Sequence, residues 1–247
     1  MGKGNLYIGT SGWSYKHWKG TFYPSDIKDK DRMKYYYNYF NTVEINSSFY
    51  HLPKATTFRG WKEGTPDTFI FSVKISRFIT HMKKLLVEET DIDLFMDRYY
   101  ELGNKAGPVL FQLPPGWQVN IERLGSVLEM LPKNVRYTFE FRNSSWYTEK
   151  VFELLRQYNI AFCIYELAGH QSPLIVTSDF VYVRLHGPGD KYQGSYPMET
   201  LKLWAEYCFE LNGEGKDIYI YFDNDTNGYA PDNAHTLNDL LKEKNLL

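Results

Sequence analysis

Cysteine is almost missing: Cys163 and Cys208 are the two in a chain of 247 residues. They form no CxxC pair, so the usual spacings for a zinc ribbon or a thiol redox motif are excluded. Cys163 lies in an apolar run (AFCIY) and Cys208 in a helix-like segment, so both read as buried free thiols, with a disulfide as the alternative. No apolar run approaches the roughly 18 residues of a membrane span. The opening MGKGNLYIGT lacks the apolar core of a signal peptide, and Leu6 stands where a myristoylation motif needs Ser or Thr. A cytoplasmic protein with no membrane attachment is expected. An excess of one charge is missing too: 28 Lys and Arg against 30 Asp and Glu give a net −2. That balance gives no overall pull toward nucleic acid or anionic lipid. There is no GxSxG and no Cys/His/Asn arrangement, so nucleophilic hydrolysis has no support. No repeat, linker or low-complexity tract divides the chain, which is expected to be one domain over 1–247.

What is present in quantity is aromatic, with 21 Tyr, 16 Phe and 6 Trp, in a composition that is 43% hydrophobic. That suffices for a large core. Short β-rich runs alternate with helix-like segments throughout. The strands read as NLYIG (5–9), TVEIN (42–46), FIFSVK (69–74), PVLFQL (108–113), YTFEFR (137–142), IAFCIYE (160–166), FVYVRLH (180–186) and DIYIYFD (217–223). Helices are expected over MKYYYNYF, DIDLFMDRYYELG, IERLGSVLEML, TEKVFELLRQY, METLKLWAEYCFEL and DNAHTLNDLLKEK. Strands separated by helices pair in parallel with both faces covered. Eight of them suggest an α/β fold of the (β/α)8 TIM type, with a doubly wound open sheet as the second reading.

The parity of these strands carries the functional argument. One alternating set is apolar (Val43 and Ile45; Phe139 and Phe141; Val181, Val183 and Leu185) and suits packing against helices. The other set ends in polar groups at the C-terminal edge: Glu44 and Asn46, Lys74, Gln112, Glu140 and Arg142, Arg184 and His186, and Asp223. In a parallel α/β barrel that edge bears the active site. The charges of this set nearly cancel, so a self-neutralised ion network is the competing reading. Glu140 and Arg142 stand roughly 6.6 Å apart along a strand, which is long for a direct pair but allows both to reach one ligand.

Other motifs weigh less. Glu44, Glu140, His186 and Asp223 could offer oxygen and nitrogen to a divalent metal, but Lys74, Arg142 and Arg184 would crowd it. Asp223–Gly228 (DNDTNG) matches half a calcium loop, yet its twelfth position is Ala234, so a tight turn before a capped helix is expected. HGPGDKYQG could hold an anionic group with Arg184 and Lys191, or be a flexible loop. In the long loop TSGWSYKHWKGTFYP, Trp13, Tyr15 and Trp18 could stack on a ligand or pack as a lid.

The pieces GTSGWSYKHWKGTFYP, FNTVEINSSFYHLP, TPDTFIFSVK with FITH, GPVLFQLPP, FEFRNSSW, YVRLHG and DNDTNGYAPDNAHTL occur in an order that covers nearly the whole chain. The chain thereby resembles the YecE-like family, catalogued as domain of unknown function 72. That resemblance implies a TIM-type barrel loosely similar to sugar isomerases, and supplies no reaction. Carried over motif by motif, it implies site residues Trp13, Glu44, Asn46, Lys74, His81, Gln112, Glu140, Arg142, Arg184, His186 and Asn224. Asn143 and Asp223 depart from its pattern, where His and Asn are usual.

The function expected from these readings is an enzyme acting on a small polar anion (a sugar, sugar phosphate or nucleotide fragment) by general acid/base chemistry. Glu44 or Glu140, with His186, would move protons. Lys74, Arg142 and Arg184 would hold the anion, while Asn46, Gln112 and Asn224 orient the substrate and Trp13 stacks over it. No cofactor and no metal ligand is expected. The alternatives are a metal-dependent sugar isomerase or phosphodiesterase-like enzyme, and a non-catalytic module binding an anionic metabolite or single-stranded nucleic acid.

Overall fold

The computed structural model describes residues 2–246. Its strands are β1 (Leu6–Thr10), β2 (Thr42–Ile45), β3 (Ile70–Lys74), β4 (Ala106–Leu113), β5 (Tyr137–Phe141), β6 (Ala161–Leu167), β7 (His170–Gln171), β8 (Phe180–Leu185) and β9 (Asp217–Phe222). Its helices are α1 (Arg32–Tyr36), α2 (Ser47–Tyr50), α3 (Ala55–Glu63), α4 (Glu89–Tyr99), α5 (Ile121–Met130), α6 (Glu149–Gln157), α7 (Met198–Gly213) and α8 (Tyr229–Glu243). A π-helix, Phe78–Met82, follows β3. The sheet order is β1-β9-β8-β6-β5-β4-β3-β2, with the short β7 antiparallel to β6. A parallel bridge between Ser11 and Glu44 joins the two ends of that order. Eight parallel strands with their helices make this an α/β fold of the (β/α)8 TIM type, as expected, and not a doubly wound sheet.

Contacts divide the fold into two compact units that interleave along the chain. The first comprises Met1–Glu44, Ile164–Leu174 and Asp179–Leu247. Here β1, β8 and β9 are in strict parallel register, Gly9 with Tyr221 and Arg184 with Tyr221. Tyr7 stacks on Tyr219 at 4.6 Å, and Tyr221 shares a 2.7 Å hydrogen bond with Thr42. Gly9 is required: a Cβ there would lie 2.3 Å from the Thr42 carbonyl oxygen. The expected helix over 33–40 stops at Tyr36, where the Asn38 side chain donates to the Lys34 carbonyl and competes with helical pairing.

The second unit comprises Ile45–Cys163 and Ile175–Ser178. Register pairs Leu110 with Thr138 and Gln112 with Glu140, so these share one face, while Phe111 and Phe139 share the other and stack at 4.6 Å. Phe162 of β6 meets Phe152 of α6 edge-on at 5.3 Å, confirming that the aromatic set faces helices. Asn120 caps α5 and Thr148 caps α6 through their side chains. The helix α3 is absent from the sequence reading because Thr56, Thr57 and Gly60 have weak helix propensity and Phe58 is its one buried residue. Both cysteines are free and buried, and burial pushes the Cys208 thiol up to about 12.

The strand parity gives a stability prediction. Phe139→Ala empties fully buried volume and should cost about 3–5 kcal/mol in urea unfolding. The neighbouring Thr138 hydroxyl is buried without a hydrogen-bond partner, so Thr138→Val should leave the midpoint unchanged or raise it.

Candidate functional site

Each unit gathers its own polar cluster at strand C-termini. In the first, β2 supplies Glu44, β8 supplies Tyr182 and Arg184, and the residues just past β1, β8 and β9 are Ser11, His186 and Asp223. Glu44 is fully buried, and a buried carboxylate needs donors to offset its lost hydration. It has them: the Ser11 hydroxyl donates to Oε1 and the Tyr182 hydroxyl to Oε2 at 2.7 Å. Arg184 adds Nε at 3.0 Å and Nη2 at 2.7 Å, a two-pronged pairing on the same carboxylate.

Arg184 Nη2 also donates to Asp223 Oδ2 at 3.1 Å. His186 lies between them, with Nδ1 2.9 Å from Asp223 Oδ2 and Nε2 3.3 Å from Arg184 Nη1. A guanidinium can only donate, so Nε2 accepts and the ring proton sits on Nδ1, pointing at Asp223. Tyr15 donates to the Ser11 carbonyl at 2.7 Å. Burial raises its phenol pKa, and the carboxylates of Asp223, Asp225 and Glu44 raise it further. Burial also raises the Asp225 carboxyl pKa, as does the Asp223 charge, while His17 opposes both.

In the second unit, β3, β4 and β5 end in Lys74, in Gln112, and in Glu140 followed by Arg142. Lys74 Nζ donates to Gln112 Oε1 at 2.9 Å and stands 4.2 Å over the Phe49 ring. Arg142 Nε donates directly to Glu140 Oε1, which corrects the expectation that their spacing is too long for a pair. The side chain curls back from the residue just beyond the strand, where the pleat no longer fixes its direction. The Cys163 thiol lies 4.0 Å from Glu140 Oε2.

The π-helix carries His81, whose Nδ1 is 2.9 Å from the Thr80 hydroxyl and whose ring meets Phe49 edge-on at 5.0 Å. Such a widened turn often marks a functional position. Partial burial lowers the His81 pKa from 6.5 to about 4, aided by the positive charges of Lys74, Arg77 and Arg142 and opposed by Glu140.

The structure therefore brings Glu44, Arg184 and His186 together in one unit, and Lys74, His81, Gln112, Glu140 and Arg142 in the other. The remaining three sequence candidates make contacts of their own. Trp13 is half-buried and its carbonyl accepts from the Tyr23 hydroxyl. Asn46 precedes α2 and accepts from the Phe49 amide at 3.0 Å. Asn224 is buried and donates to the Gly194 carbonyl at 2.8 Å and to Asn233 at 2.9 Å. Trp18 is fully buried, with its indole N–H on the Asp225 carbonyl, so it belongs to the core and not to a stacking face. Asn227 and Gly228 both take left-handed backbone, as a tight turn requires.

Arg184 faces the carboxylates of Glu44 and Asp223, and Lys191 in HGPGDKYQG is exposed. Of the residues the metal alternative would use, Glu44 accepts from a guanidinium and two hydroxyls. Among the described residues no group of three or more His, Cys, Asp and Glu is arranged to hold an ion. Sequence reasoning missed Ser11, Tyr182 and Cys163. Tyr182 shares parity with Arg184, which was a usable signal. Ser11 lies past its strand and carried none.

A family model described as "Protein of unknown function DUF72" matches residues 7–246. The chain belongs to the DUF72 family. It is 26% identical to the UPF0759 protein YunF of Bacillus subtilis, across 96% of this chain and 94% of that one. A DUF72 family protein of Thermotoga maritima, known from a crystal structure, is 30% identical with a TM-score of 0.87. That match covers 96% of this chain and 99% of the other. A DUF72 protein of Enterococcus faecalis shares the fold at TM-score 0.82, with 18% identity, 96% of this chain and 95% of that one. In this DUF72 chain the residues matched by the family run from β1 through α8.

Two outcomes follow for the clusters. Arg184→Met strands the buried Glu44 and Asp223 carboxylates and should cost about 3–5 kcal/mol by denaturant unfolding. For His81 the unfolded state binds the proton more tightly, so its contribution is fully present above pH 6.5 and is lost as pH falls toward about 4. Ring-proton NMR should place the His81 midpoint near 4, and Lys74→Met or Arg142→Met should each move it upward.

Proposed function

We propose that this DUF72 protein is a cytoplasmic enzyme that acts on a small polar anion, such as a sugar, sugar phosphate or nucleotide fragment, by general acid/base chemistry. The observation that carries the reading is the gathering of Lys74, Arg142 and His81 beside Glu140 and Gln112 at the ends of three consecutive strands. Burial, and after it three nearby cations, hold off the proton of His81, and cations so placed attract negative charge. The compartment is inferred from two buried free thiols, which suit a reducing environment.

In this proposal Lys74 and Arg142 hold the anionic group and stabilise charge that develops on the substrate. Gln112, fixed by Lys74 and by its own bond to the Leu113 carbonyl at 3.0 Å, orients a neighbouring hydroxyl. Glu140 is the base, with Arg142 steadying Oε1 and the Cys163 thiol 4.0 Å from Oε2. His81, unprotonated at neutral pH, accepts a second proton. Glu44 and Arg184 act as positioning residues that fix Asp223 and the Nδ1–H tautomer of His186.

A second reading, a non-catalytic module for an anionic metabolite, is favoured by one observation. Glu44 and both ring nitrogens of His186 are engaged by protein groups, which suits a scaffold better than a proton relay.

Calorimetry with inorganic phosphate and a panel of sugar phosphates tests the proposal. Binding should raise the His81 midpoint, and Lys74→Met or Arg142→Met should weaken it by about tenfold or more. Glu140→Gln should keep the affinity and lose turnover of whichever compound binds. Full turnover in that variant would sink the assigned base, and binding without turnover in the unmodified protein would favour the second reading.

A further inference from the structure

The first unit contains a cavity of about 420 Å³ to which the proposed chemistry assigns no role. It is lined chiefly by Phe22, Tyr35, Tyr39, Tyr229, Asp232 and His235. The volume lies within the range of small-ligand sites.

Its lining is unusual in two respects. The first is the arrangement of rings. Phe22 stands near-perpendicular to Tyr35 at 5.5 Å and to Tyr39 at 5.4 Å, while Tyr35 and Tyr39 lie 5.1 Å apart with their hydroxyls joined at 3.1 Å. Tyr39 is 43% exposed, and the His235 ring lies 6.3 Å away. His235 is itself held by Asp239 at 3.0 Å, so that wall is fixed.

The second respect is charge. Asp232 is exposed and contributes a carboxylate to the lining, which includes no Lys or Arg. An adjoining cavity of about 320 Å³ shares Tyr35 and adds Asp26 and Asp31 against Lys34. Asp232 thus edges the first cavity, and Tyr35 is common to it and to the second, which Asp26 and Asp31 line.

Ring faces carry negative potential, and carboxylates add to it, so the complementary occupant is positive. A neutral apolar ligand would leave the Asp232 carboxylate partly desolvated without an opposite charge. An inorganic or sugar-borne anion would meet like charge. A compact, weakly hydrated organic cation satisfies both the rings and the carboxylate.

We propose that the cavity walled by Phe22, Tyr35, Tyr39 and Tyr229 and edged by Asp232 is a binding site for a small organic cation of the methylated-ammonium class. It lies on α1, the loop after β1 and the first turns of α8, and it is separate in residues from both polar clusters. A cation here would rest against Tyr39 with its charge toward Asp232.

The test compares choline with 3,3-dimethylbutan-1-ol, which has the same shape without the charge, on the full chain by NMR of the tyrosine ring protons. Choline should shift the Tyr35 and Tyr39 resonances saturably, and the neutral alcohol should not. Tyr39→Leu keeps apolar bulk and removes the ring, and Asp232→Asn removes the charge alone. Each should weaken choline binding by about fivefold or more. Both positions are exposed, so folding is not at stake, and the amide dispersion of each variant checks this. Equal shifts from the neutral alcohol, no saturable shift with choline, or unchanged affinity in Asp232→Asn would each overturn the proposal. Binding of methyl glycosides in place of choline would overturn it as well, in favour of a sugar site.

Discussion

A guanidinium buried against two carboxylates sets the terms for the first unit. Arg184 is 1% exposed, and it reaches Glu44 from β2 and Asp223 after β9 from its own place on β8. Three charged groups in a dry interior are tolerable when opposite charges touch and their hydrogen bonds are made, and here the guanidinium meets both carboxylates. Ser11 after β1 and Tyr182 on β8 complete the shell of Glu44. One carboxylate is thereby tied to residues from β1, β2 and β8. The order of the strand ends, and the direction in which His186 holds its proton, follow from that pairing.

The two polar clusters differ in how their charges meet. Around Arg184 one guanidinium faces the carboxylates of Glu44 and Asp223, and Asp223 is the less buried of the two at 12% side-chain exposure. Around His81 the charges do not cancel, because the cations still outweigh Glu140 at the imidazole. Unbalanced potential beside a half-buried histidine is what an anion site needs before its ligand arrives. The assignment of chemistry to the second unit rests on that asymmetry, with the first unit as support.

Much of this was legible in the chain. Eight strands were placed within two residues of their ends because apolar alternation and the intervening amphipathic helices each have a characteristic period. Family motifs spread over nearly the whole chain agreed with that pattern. The polar strand ends were also legible, since parity assigns Glu44, Gln112, Glu140 and Arg184 to one face without any knowledge of the fold. Three features were not. Residues 78–82 gave no sign of a π-helix, because the extra residue per turn leaves no periodic trace in five positions. The Glu140–Arg142 pair defied its spacing, because a long side chain past a strand end follows its partner and not the pleat. The aromatic cavity joins Phe22, Tyr35 and Tyr229 from distant stretches, and no local pattern links them.

The sequence by itself determined the fold class, the alternation that buries phenylalanines against helices, and the identity of the polar residues at the strand ends. Local periodicity specifies those features, and neighbouring residues are enough to read them. Tertiary structure alone decided which charges meet. Glu44 and Arg184 are separated by 140 residues yet share a carboxylate and a guanidinium at 2.7 Å. Whether a charge is neutralised or left to act on a ligand depends on distances of that order, because the interaction grows steeply as charges approach in a poorly screened interior. Those distances are properties of the folded barrel.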